Sequence, residues 1–96
     1  MNLTEADAEH VAEVMGGLAN TGRVLILARL LESPATVTQL VDDLDMGQTT
    51  VSNHLRILRH LDLASGKRDG RNVVYELADD HVRELLTQVL NHASHS

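Results

Sequence analysis

The chain has no cysteine, no phenylalanine, no tryptophan and a single proline. Without cysteine there can be no disulfides and no thiolate metal sites, and redox chemistry leaves the compartment open. Tyr75 is the one aromatic residue, so the core must be assembled from Leu, Val, Ile, Ala and Met. The 96 residues make one small domain spanning 1–96, near the lower size limit for a self-sufficient core. A thin aliphatic core of this kind favours completion by a partner chain. No apolar run approaches the roughly 20 residues that a membrane-spanning helix needs. The start, Met1-Asn2-Leu3-Thr4-Glu5, lacks the basic and apolar regions of a secretory signal, so a soluble cytoplasmic protein is expected.

Basic residues are also scarce, and the formal net charge is −6. Taken whole, that balance argues against nucleic acid as a partner. Its distribution argues the reverse. Residues 48 to 75 hold Arg56, Arg59, Lys67, Arg68 and Arg71 against Asp62 and Asp69, a local +3. The rest holds three Lys or Arg against twelve Asp or Glu, a local −9. One short domain thus carries a basic surface on an acidic body.

What the chain does have is helical periodicity with clear punctuation. Thr4 followed by Glu5 and Asp7 reads as a capped helix start, with Val11, Val14, Met15 and Leu18 recurring at helical steps. Gly16-Gly17 weakens the end of this helix, and Asn20-Thr21-Gly22 breaks and restarts the chain. Val24 to Leu31 is apolar almost all round, which predicts a buried central helix stopped by Ser33-Pro34. Thr36-Val37-Thr38-Gln39 has the form of a capping box and opens a short helix with Val37, Leu40, Val41 and Leu44 on one face. Asp45-Met46-Gly47 is a turn, and a second helix runs from about Gln48 to His60. Val51, Leu55 and Leu58 face inward on it, while Gln48, Thr49, Ser52, Asn53 and Arg56 face out. Two short helices so joined, the second polar outward, form a helix-turn-helix pattern.

Leu63 to Arg68 and Asn72 to Leu77 are strand-like, and Asp69-Gly70 between them is a hairpin turn signal. Val73, Tyr75 and Leu77 are expected inward, and Asn72, Val74 and Glu76 outward. Lys67, Arg68 and Arg71 fall at or near the hairpin tip. The architecture predicted is mainly α with a small β-hairpin, a winged helix-turn-helix.

One amphipathic helix follows from about Asp79 onward, with Leu85, Leu86, Val89 and Leu90 at helical spacing. His81 and His92 are eleven positions apart and share a face. At a rise of about 1.5 Å per residue they lie roughly 16 Å apart along the axis, too far for one ion with bonds of about 2 Å. An antiparallel second copy changes this. His81 then meets His92 of that copy and Asp79 meets His95, giving two equivalent sites of one carboxylate and three imidazoles. Such a set suits a borderline divalent ion such as zinc. The competing view is structural: Asp79 is a helix N-cap, and the late histidines sit where the helix dipole favours them.

Four segments together carry a resemblance. They are Leu18 to Leu27, Val37 to Val41, Met46 to Leu58, and Arg68 to Leu77. In them the sequence resembles the ArsR/SmtB family of metal-sensing winged-helix repressors. The resemblance implies a homodimeric binder of operator DNA, with the hairpin between the fourth and fifth helices and the first and last helices forming the dimer interface. It also implies, for one branch of the family, metal ligands on the last helix in the pattern Asp-x-His followed by His-x-x-His. Asp79, His81, His92 and His95 fit that pattern. Two departures stand out. The helix before the turn lacks the cysteine of thiolate-site members, which counts against arsenic, cadmium or lead, and Gly22 stands where the family usually has proline.

On this reading two recognition helices enter successive major grooves about 34 Å apart on an imperfect inverted repeat. Gln48, Thr49, Ser52 and Asn53 are the candidates for base and phosphate contacts, and Arg56 for a phosphate. Lys67, Arg68 and Arg71 reach the flanking backbone or minor groove and set the salt dependence. Arg59 divides evenly between phosphate contact and solvated face, and His54 and His60 read as packing or surface residues. Zinc fits the four ligands; nickel or cobalt would fit if His10 or the chain termini raised the coordination number. Imidazoles bind metal when neutral, so affinity should weaken below about pH 6.5. Two other classes are a metal-dependent enzyme and a winged-helix regulator without metal sensing that uses its acidic face for partners. The enzyme lacks support, because the ligands lie across a dimer seam and no pocket-forming second layer is evident.

Overall fold

A computed structural model describes residues 2–94. The elements run α1 (Glu5–Leu18), α2 (Thr21–Glu32), β1 (Ala35–Thr36), α3 (Val37–Leu44), α4 (Gln48–His60), β2 (Ala64–Asp69), β3 (Asn72–Leu77) and α5 (Asp80–Ser94). Local hydrogen bonds explain most boundaries. The Thr4 hydroxyl accepts from the Asp7 N–H at 3.0 Å, and the Asp7 carboxylate accepts from the Thr4 N–H at 3.1 Å. Thr36 and Gln39 form the same reciprocal pair at the start of α3, as the sequence pattern predicts. Asn20 caps α2 by accepting from the Arg23 N–H at 3.1 Å.

α1 runs through Gly16-Gly17 rather than ending before them. Leu61 packs onto Gly17, where a Cβ would collide with it. The Arg23 side chain then caps this end, donating from Nε to the Gly17 carbonyl at 2.7 Å and from Nη2 to the Gly16 carbonyl at 3.3 Å. The bare carbonyls of a helix end thus find a cation from the next helix.

The sheet has three antiparallel strands in the order β1-β3-β2. The β2–β3 hairpin pairs Ala64 with Leu77 through Asp69 with Asn72, and Gly70 turns it at φ +65°. β1 is a strand that periodicity does not reveal: Ala35 and Thr36 pair with Tyr75 and Val74. Two residues are too few to show alternation. The pairing also half-buries Val74, expected to face outward, and Glu76 is half-buried beside it.

The core lies where α2, α3 and α4 meet. Ile26, Leu27, Leu30, Leu40, Val51, Leu55 and Leu58 are fully enclosed, and Leu63, Ala64, Leu77, Val82 and Leu86 close it. α2 is not buried all round. Leu25 is 44% exposed, on the edge of a groove of about 420 Å³ between α2 and α3 that the Arg29–Asp43 ion pair (2.9 Å) helps line. α1 and α5 both lean on α2. Val14 and Leu18 of α1 and Val82, Leu86 and Leu90 of α5 turn inward. Leu3, Val11 and Met15 at one end of the chain and Val89 at the other remain exposed. Among the described residues no single helix is long and apolar enough to cross a membrane.

Candidate nucleic-acid interface and metal centre

α4 is held by one edge. Val51, Leu55 and Leu58 sink into the core, which leaves Gln48, Thr49, Ser52, Asn53 and Arg56 on the opposite, exposed side. All five predicted contact residues of this helix therefore share one accessible face. Thr50 is exposed in the same first turn and joins them, though sequence reasoning did not single it out. Gly47 is the N-cap and supplies no side-chain bond, so the first-turn N–H groups of α4 are not capped by a side chain. Arg59 and His60 are exposed on its last turn.

The hairpin carries Lys67, Arg68 and Arg71, all exposed. They are not equivalent. The Lys67 ammonium pairs with the Glu76 carboxylate at 3.0 Å, whereas Arg68 and Arg71 make no ion pair among the described residues. Glu76 stands opposite Ser65, so it reaches Lys67 diagonally across the hairpin. That diagonal is the signal from which Glu76 could have been found.

One α4 side chain points inward from the edge of this face. His54 is half-buried, and its Nε2 lies so close to Gly22 that a Cβ there would stand 2.7 Å away. Its Nδ1 is buried and has no hydrogen-bond partner among the described residues. Burial, and then the charge of Arg23, hold the imidazole below its ordinary pKa and so favour its neutral form. The expectation of a packing residue holds for His54, and that of a surface residue for His60.

At the start of α5 the Asp79 Oδ1 accepts from the Val82 N–H at 2.9 Å, the bond of an N-cap. The same oxygen is 3.9 Å from His81 Nδ1, and the His81 side chain is 96% exposed. His92 is exposed near the other end of the helix, and His95 lies outside the described residues. No three potential ligands cluster within the described residues of one chain. His10 is exposed on α1.

Residues 20–65 match the model of the bacterial regulatory protein, arsR family. The chain is 42% identical over 88 residues to the HTH-type transcriptional regulator NmtR of Mycobacterium tuberculosis, covering 92% of this chain and 73% of that protein. The chain belongs to the ArsR family. A second ArsR-family relative is the HTH-type transcriptional repressor SmtB of Mycobacterium tuberculosis, 40% identical over 81 residues. The alignment takes in 84% of this chain but spans only 60% of that repressor's length. Among solved structures, the homodimeric winged helix-turn-helix DNA-binding domain Mb0332 from Mycobacterium bovis superposes with a TM-score of 0.88 at 30% identity. That likeness covers 93% of this chain and 82% of the other. The ArsR assignment agrees with the fold and with the sequence resemblance, and it makes the chain a DNA-binding regulator rather than an enzyme.

Proposed function

We propose that this ArsR-family chain is a homodimeric repressor that binds an inverted-repeat operator and is released by a divalent metal, zinc in the first instance. The observation that carries the metal part is the distribution of donors along α5. Asp79 and His81 lie at one end, His92 at the other, all exposed, and no trio closes within the described residues of one chain. A second copy of α5 laid antiparallel supplies the missing donors.

The donors present fit such an ion. Two ligands of a tetrahedral centre with bonds of about 2 Å lie about 3–3.5 Å apart, and the Asp79 Oδ1 and His81 Nδ1 atoms are 3.9 Å apart on exposed side chains. The cap bond occupies one Asp79 oxygen, and the second is free of protein hydrogen bonds among the described residues. Asp79 and His81 of one protomer, with His92 and His95 of the other, would hold the ion. When bound, it supplies a cross-link between the two α5 helices. Nickel or cobalt would need further ligands, for which His10 on α1 is exposed.

α1 and α5 form the dimer interface in this proposal, because Val11, Met15 and Val89 leave apolar surface uncovered there. In the dimer, Gln48, Thr49, Ser52 and Asn53 read base edges and phosphates, and Arg56, Arg68 and Arg71 hold phosphates. Lys67 joins them once Glu76 yields. Fixing α5 against its partner fixes the spacing of the two α4 helices, and a spacing wrong for successive grooves lowers operator affinity. Couplings of this type are typically about 1–3 kcal/mol and reciprocal.

The test is an operator titration of the apo dimer with and without zinc, with His92→Ala as control. Weaker binding with zinc in the wild type, and no change in His92→Ala, is expected. Equal affinities with and without zinc in the wild type dispose of metal release. One ion per chain, lost in Asp79→Ala or His81→Ala, separates this function from that of a regulator without sensing.

A further inference from the structure

Between the dimerisation helix and the recognition helix lies a joint that neither the DNA face nor the α5 ligands use. Its parts are Gly22 and Arg23 at the start of α2 and His54 in the middle of α4. Arg23 holds the end of α1 through the Gly16 and Gly17 carbonyls. On the other side, the His54 ring fills the space that a Cβ at Gly22 would need. We propose that His54 is a positioning residue: its neutral ring seats the recognition helix against the α1–α2 corner, and its protonation unseats that helix and weakens operator binding. This rests on α4 being the operator-reading helix.

The geometry leaves little room for the charged form. The charged ring must carry a hydrogen on both nitrogens, and Nδ1 is buried with no acceptor among the described residues. A buried donor without an acceptor is costly, and a buried cation more so. The ring already fills the side-chain space beside Gly22, which leaves it little room to retreat toward α2. Nor does a carboxylate stand ready. Of the elements packed on α4, α2 contributes the Arg23 cation, and neither α3 nor β2 adds a charge that acts on the ring. The last turn of α1, Met15-Gly16-Gly17-Leu18, carries no charged side chain. The residues three and four positions from His54 along α4 are Thr50, Val51, Ile57 and Leu58, also uncharged. Protonation thus adds a second positive charge beside Arg23, whose guanidinium caps α1. Relief comes from moving α4 outward.

The sign follows. The folded-state pKa lies below the unfolded value, so the neutral ring's stabilisation is complete above the unfolded value of about 6.5 and is lost as pH falls through the folded one. Any pH effect that arises elsewhere on the DNA-binding surface is common to the wild type and to a His54 variant, so their ratio isolates the joint.

The experiment uses the metal-free full chain and the tightest duplex recovered from a random-sequence DNA library. Affinities of the wild type and His54→Gln are measured from about pH 7.5 to about 5.5, either side of the ordinary histidine value. The two should agree within about threefold at the upper end, and the wild type should lose about tenfold relative to His54→Gln at the lower. In parallel, NMR follows the His54 ring proton and the amides of Gln48 to Asn53 in the wild type. These amides should shift with the His54 midpoint. Superimposed affinity profiles, or a His54 titration that leaves these amides unmoved, overturn the proposal. Gly22→Ala presses a methyl on Nε2 and should weaken binding about tenfold at neutral pH, with His54→Ala in that background restoring most of the loss; no restoration counts against the joint. Absence of DNA binding by every chain at every pH would instead defeat the repressor function, and the amide shifts would still decide whether His54 moves α4.

Discussion

α4 and α5 both present polar side chains to solvent, yet they are built to different degrees of completeness. α4 is anchored by three fully buried residues, and its candidate contact face is assembled within one chain. α5 carries its candidate metal donors at its two ends, where the described residues of one chain do not bring three together. The first surface can be ready before any partner arrives; the second exists only as halves. Apolar exposure is heaviest toward the two ends, where Val11, Met15 and Val89 are 46%, 56% and 48% exposed, against 44% for Leu25 of α2 and 37% for Ile57 of α4.

That contrast can be broken from either side. Leu30→Ala, at a residue 1% exposed, should cost about 2–5 kcal/mol in urea unfolding and damage both regions together. The double change Val11→Glu with Val89→Glu should leave the monomer folded by circular dichroism but dissociate the dimer in sedimentation. Operator affinity should then fall by about 100-fold or more, because two linked half-site contacts become one. If that variant still sediments as a dimer, the interface lies elsewhere. Arg71→Ala should weaken binding to all sequences alike and reduce the slope of log affinity against log salt by about one. Glu76→Gln should act in the opposite direction. With Lys67 released, affinity should rise by about 1.4- to fivefold, the scale of an exposed ion pair of about 0.2–1 kcal/mol.

Much of the fold was legible because it is decided locally. The Thr4 N-cap, the Thr36–Gln39 capping box, the turn at Asp45-Met46-Gly47 and the hairpin at Asp69-Gly70 depend on residues within three or four positions of one another. The inward edge of α4 followed from helical spacing alone. What the sequence did not disclose depends on contacts between distant segments. β1 exists because β3 has a free edge beside Ala35 and Thr36. The exposure of Leu25 depends on which side of α2 its neighbours leave open, and an all-apolar helix does not record that. Likewise the α1 stripe divides between an inward pair, Val14 and Leu18, and an outward pair, Val11 and Met15. The meeting of His54 with Gly22 joins residues 32 positions apart, and nothing in either neighbourhood announces it.

Asp79 shows how a cap and a candidate ligand can be vested in one carboxylate. Its Oδ1 holds the first turn of α5 through the Val82 N–H. Alanine there removes a donor atom for metal and frays the helix that aims His81, at a cost of about 1 kcal/mol. Asparagine keeps an oxygen for Val82 while withdrawing the anion. A chain carrying Asp79→Asn that melts like its parent but binds zinc poorly would show the charge at work apart from the scaffold. A carboxylate that serves both roles gives a reason for metal occupancy and order in the first turn of α5 to rise and fall together.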